Sequence, residues 1–216
     1  MKLCQRTNTD ITQEQIIQVQ KHSIAQVSGT NLFKHREGRI GASQSKAEEH
    51  SDPALPSQSL IQGICYPELH KLNTKAVRHG CNHEASTIRA LRNPWKKLVN
   101  FKIVKCGLFI NQERPWIHAT PDFLCSCDCC DDGCEEIKCS YCIENCDFDS
   151  YVSKPSSWTF LGSSLLDRNE YYYQVQQHLC STKLNYNYFT VCAVNEAINY
   201  LKFVQTKILP DKEHWS

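Results

Sequence analysis

The chain contains no apolar run of the roughly 18 residues that a membrane-spanning helix needs, and its mean hydropathy is −0.48. Its first residues, MKLCQRTNTDITQEQ, lack the apolar stretch of a secretory signal. The expectation is therefore an intracellular protein with no membrane partner, whose cysteines are reduced thiols or metal ligands before they are disulfides. There is no internal repeat. There is also almost no charge of either sign in excess, since 24 Lys and Arg face 23 Asp and Glu for a formal +1. Taken as a total, that argues against a nucleic-acid partner. What remains is a chain of 216 residues, 41% hydrophobic and 22% charged, enough for one substantial globular domain and incompatible with disorder throughout. Fourteen cysteines are the compositional oddity.

The balanced total hides two blocks. Residues 71–105 carry Lys71, Lys75, Arg78, Arg89, Arg92, Lys96, Lys97, Lys102 and Lys105 against the single acid Glu84. Residues 122–150 carry Asp122, Asp128, Asp131, Asp132, Glu135, Glu136, Glu144, Asp147 and Asp149 against the single base Lys138. Such blocks are either a basic groove beside a metal-binding pocket or two solvated faces that pair with each other.

Residues 10–27 have helical character with Thr12 as N-cap, and 44–59, with two prolines, read as a loop. A helix is expected over about 68–92, broken near Gly80 and ended by Pro94. Strands are expected at 101–110, 116–125 and 135–139. Residues 169–182 place Tyr172, Val175, Leu179 and Thr182 on one helical stripe, and YFTVCAV and INYLKFV read as two closing strands. Helices, three strands, a helix and two strands predict an α/β domain with a mixed sheet.

Asp122 follows Pro121 at the end of a predicted strand, and Glu136 and Lys138 are two apart on another, so their side chains share a face. Two carboxylates from adjacent strands, with the Ile137 carbonyl as a further oxygen, suit Mg²⁺. A lysine beside them can position a water and offset phosphate charge, which are the parts of metal-assisted phosphodiester hydrolysis. The same residues also fit a turn aspartate and an exposed Glu–Lys pair on an edge strand. Glu84 is an isolated acid on the basic helix, either part of such a site or a solvent-facing residue paired with Arg78, Arg89 or a neighbouring lysine. Gln174 and Gln176 flank Val175, and a glutamine can orient water at a metal site or simply line a polar helix face. The basic turn REGRIGAS (36–43) offers Arg36, Arg39 and Ser43 to a phosphate, or to solvent.

The ordered series REGRIGAS, HGCNHE, WIHATPDF, EEIKCS and YYYQVQQHL resembles the YqaJ viral recombinase family, a group of lambda exonuclease-like proteins in the PD-(D/E)XK nuclease superfamily. The resemblance runs from about residue 10 to about 205. It implies a restriction-endonuclease-like PD-(D/E)XK core, with a mixed central sheet flanked by helices. It implies metal ligation by Glu84, Asp122 and Glu136, a water- or phosphate-contacting Lys138, and Gln174 near the scissile phosphate. It makes Arg36 and Ser43 the phosphate contacts. Three positions depart from the family pattern: Gly41 stands for the usual threonine, Phe123 for the glycine after PD, and Ser140 for the proline after ExKC.

Eight cysteines fall in one window, Cys125, Cys127, Cys129, Cys130, Cys134, Cys139, Cys142 and Cys146. Cys127, Cys129, Cys130, Cys134, Cys139 and Cys142 are candidate ligands of a structural Zn²⁺, an iron–sulfur cluster is the other metal reading, and a cysteine-rich hairpin without metal is the plain one. The remaining six read as small, mostly core residues.

The expectation is thus a tail (1–9), a YqaJ-like nuclease domain (10–209) with a cysteine-rich insert (125–146), and a second tail (210–216). Its expected activity is Mg²⁺- or Mn²⁺-dependent hydrolysis of DNA, of exonuclease type, on linear double-stranded ends, in recombination or repair. By resemblance alone a trimer is implied. The alternative is a catalytically inactive, zinc-stabilised DNA- or protein-binding module derived from a mobile element.

Overall fold

The computed structural model of the chain describes residues 10–24, 30–69, 74–95, 97–139, 148, 160–161, 164–165, 170–195 and 200–215. The described elements, in chain order, are α1 (Gln13–Ile24), α2 (Thr30–Arg36), β1 (Ile40–Gly41), a 3-10 turn (Ala42–Gln44), α3 (Ser45–Glu49), α4 (Gln58–Cys65) and α5 (Lys75–Trp95). Then come β2 (Lys102–Val104), β3 (Phe109–Ile110), β4 (Ile117–Ala119), β5 (Phe123–Cys127), β6 (Asp131–Cys139), β7 (Phe160–Leu161), β8 (Ser164–Leu165), α6 (Glu170–Thr182), β9 (Asn187–Asn195) and β10 (Tyr200–Ile208).

The central sheet has the order β10-β9-β6-β5-β2. Only β6 and β9 run parallel, in register from Cys134↔Asn187 to Cys139↔Cys192. The return path from β6 to β9 includes α6, the kind of crossover a parallel pair requires. β5 and β6 form an antiparallel hairpin from Phe123↔Glu135 to Cys127↔Asp131. A small sheet, β1-β4-β3, stands beside it.

Helices cover both faces of the central sheet. On one face, Leu91 and Trp95 of α5 pack with Phe123, Ile137, Cys192 and Val194. On the other, Val175 and Leu179 of α6 pack with Cys134, Phe189, Val191 and Ile208. This is the expected α/β architecture with a mixed sheet flanked by helices. The period-two alternation of β6 decides which residues meet which helix, so Glu136 and Lys138 share the α6 face with Cys134.

The N-terminus of α1 is capped as expected: the Gln15 amide donates to Thr12 Oγ1 (3.3 Å) while the Thr12 amide donates to Gln15 Oε1 (2.8 Å). Other boundaries differ from expectation for identifiable reasons. The long helix begins at Lys75, where the Val77 amide donates to Thr74 Oγ1. It passes through Gly80 without a break and ends at Trp95, one residue beyond Pro94. One glycine in 21 residues costs only about 1 kcal/mol, which the packed face of α5 offsets. The stretch 101–110 is two strands in different sheets, because the chain bends at Gly107 against α1. A Cβ there would lie 2.1 Å from the Gln20 carbonyl oxygen. The Leu108 amide donates to Ser23 Oγ at 2.7 Å. The stretch 116–125 likewise divides at Thr120–Asp122 between β4 and β5. β6 starts four residues earlier than expected, and the expected loop 44–59 contains α3.

Candidate active site

Asp122 sits where β5 begins. Its amide donates to the Glu135 carbonyl (3.0 Å), which ties it to β6 one step beyond the ladder, and its Oδ2 accepts the Ile137 amide at 2.6 Å. The carboxylate is thus fixed by backbone rather than by a flexible partner. Next to it, Glu136 is buried, 4% exposed. Its Oε1 accepts from Lys138 Nζ and from Gln174 Nε2, both at 2.6 Å. Its Oε2 lies 3.8 Å from His178 Nδ1. Gln174 and His178 are one turn apart on α6, so a single helix face buttresses the carboxylate. Lys138 Nζ also stands 5.2 Å from the centre of the Tyr171 ring.

Three carboxyls act on one another here. Burial, then Glu136 and Glu84, push the Asp122 carboxyl well above its ordinary range, against the pull of Lys138 and the Ile137 amide. Glu84, on α5, is pushed up by burial and by Glu136, with Lys105 partly offsetting. Burial works against the Lys138 ammonium, but the contact with Glu136 outweighs it and its pKa rises. Burial lowers His178 to about 4, opposed by Glu136 and assisted by Lys138, so its imidazole is neutral near pH 7. The site therefore crowds three carboxyl groups beside one lysine, with burial and mutual repulsion pushing two of them toward the neutral form. Three hard oxygen donors so placed are what a divalent Mg²⁺-like ion requires.

Arg36 reaches the same region: its Nη2 donates to Thr120 Oγ1 at 3.4 Å, two residues before Asp122, and its Nε has no hydrogen-bond partner among the described residues. Ser43 lies exposed on the 3-10 turn. Arg39 is committed elsewhere, donating to the carbonyls of Pro115 (2.8 Å) and His35 (3.2 Å). Gln176 bonds Leu209 and Asp211 on the far side of α6. Gln177 donates to the Ile40 and His118 carbonyls, both at 2.9 Å, and so clamps β1 and β4 to α6. His178, Tyr171 and Cys106, whose thiol donates to the Pro121 carbonyl at 3.0 Å, border the site without having been singled out from sequence. Nothing in their spacing separates them from ordinary core residues. On the opposite face of β6, Glu135 is fully buried, shares a hydrogen bond with Thr190 and accepts from Gln205 Nε2. Burial pushes its carboxyl well above the usual range.

The basic block is exposed where it is described: Lys75, Arg78, Arg89 and Arg92 on α5, Lys102 on β2, and Lys97 and Lys105 in the segments next to them all face solvent. Lys71 and Lys96 lie outside the described residues.

The cysteines divide into three groups. The Sγ atoms of Cys127, Cys129 and Cys130 lie within 4.8 Å of one another at the β5–β6 turn. Cys134 is instead buried against Asn187 and Tyr186, and Cys139 meets Cys192 (Sγ–Sγ 2.6 Å), so neither joins the trio. Cys142 lies outside the described residues. Cys65, read from sequence as a reduced core thiol, is disulfide-bonded.

The family model of the YqaJ-like viral recombinase domain matches residues 32–185, which include Glu84, the Asp122–Lys138 hairpin and Gln174. The chain belongs to this family. Solved structures similar to the YqaJ-like chain include an alkaline exonuclease from Laribacter hongkongensis, at TM-score 0.59 and 16% identity, covering 87% of this chain and 85% of that one. The same exonuclease in complex with dAMP matches at TM-score 0.56 and 16% identity, over 86% and 84%. A SOX–DNA complex matches at TM-score 0.59 and 10% identity, over 98% of this chain and 70% of that one. At such identities the likeness is one of fold. No curated protein matches the chain.

Two departures from the YqaJ pattern have a local explanation. A Cβ at Gly41 would meet His118 Cε1 at 3.2 Å and Nε2 at 3.3 Å, so the imidazole fills the room a threonine would take. Phe123 turns away from the carboxylates into the core, 1% exposed and edge-on to Trp95. Ser140 lies outside the described residues. No helix among the described residues is long and apolar enough to cross a membrane.

Proposed function

We propose that this chain is a metal-dependent deoxyribonuclease of exonuclease type. The observation that carries the reading is the meeting of Asp122, Glu136 and Glu84 with Lys138 and Gln174 at one end of the β5–β6 hairpin, in a chain of the YqaJ-like family. Asp122, Glu136, Glu84 and the Ile137 carbonyl would hold Mg²⁺ or Mn²⁺. Such an ion supplies Lewis-acid polarisation of the phosphoryl group and a more acidic water. The remaining work falls to this chain's own groups. Gln174 and Lys138 hold the Glu136 carboxylate in place, and the Lys138 ammonium faces the attacked phosphate. Neutral His178 closes the floor behind Glu136. Arg36 and Ser43 take a flanking phosphate, and the exposed bases of α5 and β2 carry the duplex backbone, so that binding weakens as salt rises. The likeness to an alkaline exonuclease and to a SOX–DNA complex supports DNA as the polymer bound, and linear double-stranded ends are the proposed substrate. The working domain is taken as residues 10–209, because α1, β9 and β10 pack into the same cores as the matched segment.

Linear, nicked and circular DNA incubated with Mg²⁺ or with EDTA tests this. Linear DNA should be degraded with Mg²⁺ only, and Asp122→Ala and Lys138→Ala should abolish degradation while DNA binding persists. Undiminished activity in either variant would overturn the site. Equal attack on circular DNA would overturn the exonuclease assignment.

A further inference from the structure

The β5–β6 turn lies at the other end of the hairpin from Asp122, five residues along β5, a separation of ~15 Å. It presents three thiols to one point. Cys127 Sγ is 3.3 Å from Cys129 Sγ, and Cys129 Sγ is 3.5 Å from Cys130 Sγ. Thiols are weak hydrogen-bond partners, and three of them gain little from such crowding by themselves. Around Zn²⁺ with Zn–S bonds of about 2.3 Å, thiolates in a tetrahedron stand ~3.8 Å apart, within about half an ångström of those two separations.

The turn is built from outside as well as from within. The Cys130 amide donates to the Cys127 carbonyl (3.3 Å), and the Asp128 amide donates to the Val99 carbonyl (3.1 Å). Asn100 Nδ2 donates to Asp128 Oδ2 at 2.7 Å. Asn100 and Asp131 both take the left-handed conformation, with φ of 54° and 61°. Asn and Asp tolerate that region better than other side chains. From the sheet side, the Tyr186 hydroxyl donates to the Asp131 carbonyl at 3.4 Å. Cys127 is buried, Cys130 half-buried and Cys129 exposed, so the cluster has a floor and an open side through which an ion can enter.

We propose that this turn is a zinc site, binding one Zn²⁺ through Cys127, Cys129 and Cys130 with a water or an outside donor in the fourth position. Its role is to pin the turn whose strands carry Asp122 and Glu136 at their far end. Soft thiolates here and hard carboxylates there sort the two kinds of ion by chemistry.

Elemental analysis of the full chain, purified under reducing conditions with zinc supplied, tests this without DNA. The wild type should carry about one zinc per chain. Cys129→Ser and Cys130→Ser, at positions that are exposed and half-buried, should lose most of it with an unchanged circular dichroism spectrum. Cobalt added to the zinc-free wild type should give a thiolate-to-metal charge-transfer band that both variants lack. Cys81→Ser on α5 should keep the metal, and so should Asp122→Ala, which separates this site from the proposed nuclease centre. Less than ~0.3 zinc per chain in the wild type, stoichiometric iron in its place, full zinc retention in Cys129→Ser, or zinc loss in Asp122→Ala would each overturn the assignment.

Discussion

Gln174 Nε2 donates to Glu136 Oε1 at 2.6 Å, joining the middle of α6 to the acid of the ExK strand. The same oxygen carries Lys138, so one carboxylate atom is held from the helix and from its own strand. A partner that orients a metal ligand commonly contributes 10–100-fold in affinity or activity. Gln174→Ala should therefore reduce Mg²⁺-dependent DNA degradation by about 10–100-fold and raise the Mg²⁺ concentration needed for half-maximal rate. DNA binding measured in EDTA should not change. A rate within twofold of wild type would show that Gln174 has no part in the chemistry.

The mutual repulsion of Asp122, Glu136 and Glu84 has a cost in the metal-free fold. Asp122→Asn removes one of the three mutually repelling carboxyls while its amide oxygen can still accept the Ile137 amide. In EDTA this variant should be more stable than wild type by about 1–2 kcal/mol in urea unfolding, an activity–stability trade-off. Mg²⁺ should raise the melting temperature of the wild type and leave that of Asp122→Asn nearly unchanged. Equal Mg²⁺ responses would argue that the ion binds elsewhere.

How much of this was legible beforehand follows from which signals are local. α6 is legible because its apolar and aromatic spacing survives in the fold, although every residue from Tyr173 to Leu179 is buried and not the single stripe Tyr172, Val175, Leu179 and Thr182. It is wedged between the central sheet and the small β1–β4 layer, and no periodicity announces a two-sided burial. The pairing of Glu136 with Lys138 is legible from period-two alternation. Gln177 and His178 are not, since a polar residue that clamps two strands looks the same in sequence as one facing solvent. The division of 101–110 into two strands depends on the approach of Gly107 to Gln20, a contact more than 80 residues distant in sequence. The same limit applies to the cysteines: spacing nominates six, but only the turn geometry brings Cys127, Cys129 and Cys130 together.

Gly133 has no side chain because Tyr186 occupies the space. A Cβ at 133 would lie 2.2–2.6 Å from three ring atoms of Tyr186, which is 1% exposed and cannot swing away. Gly133→Ala should cost ~2 kcal/mol in urea unfolding, the usual range for overpacking. Adding Tyr186→Ala should cost less in that background than in the wild type, because the clash is already relieved. Strictly additive losses would mean that the two positions do not compete for the same volume.

His118 gives the fold an acid limit. Burial, then Arg36 and Arg39, lower its pKa to about 3, and its Nδ1 has no hydrogen-bond partner among the described residues. The folded state binds the proton more weakly than the unfolded chain, where the imidazole titrates near 6.5. The stability this preserves is fully present above about pH 6.5 and is lost progressively as pH falls from there toward about 3. His118→Gln removes that titration while keeping a polar side chain of similar reach beside Gly41. Urea unfolding across this window should show a shallower acid limb for His118→Gln than for wild type, with the two curves differing by up to a few kcal/mol, on the order of the linkage from a shift this large. Parallel curves would mean that the buried imidazole contributes nothing to acid unfolding.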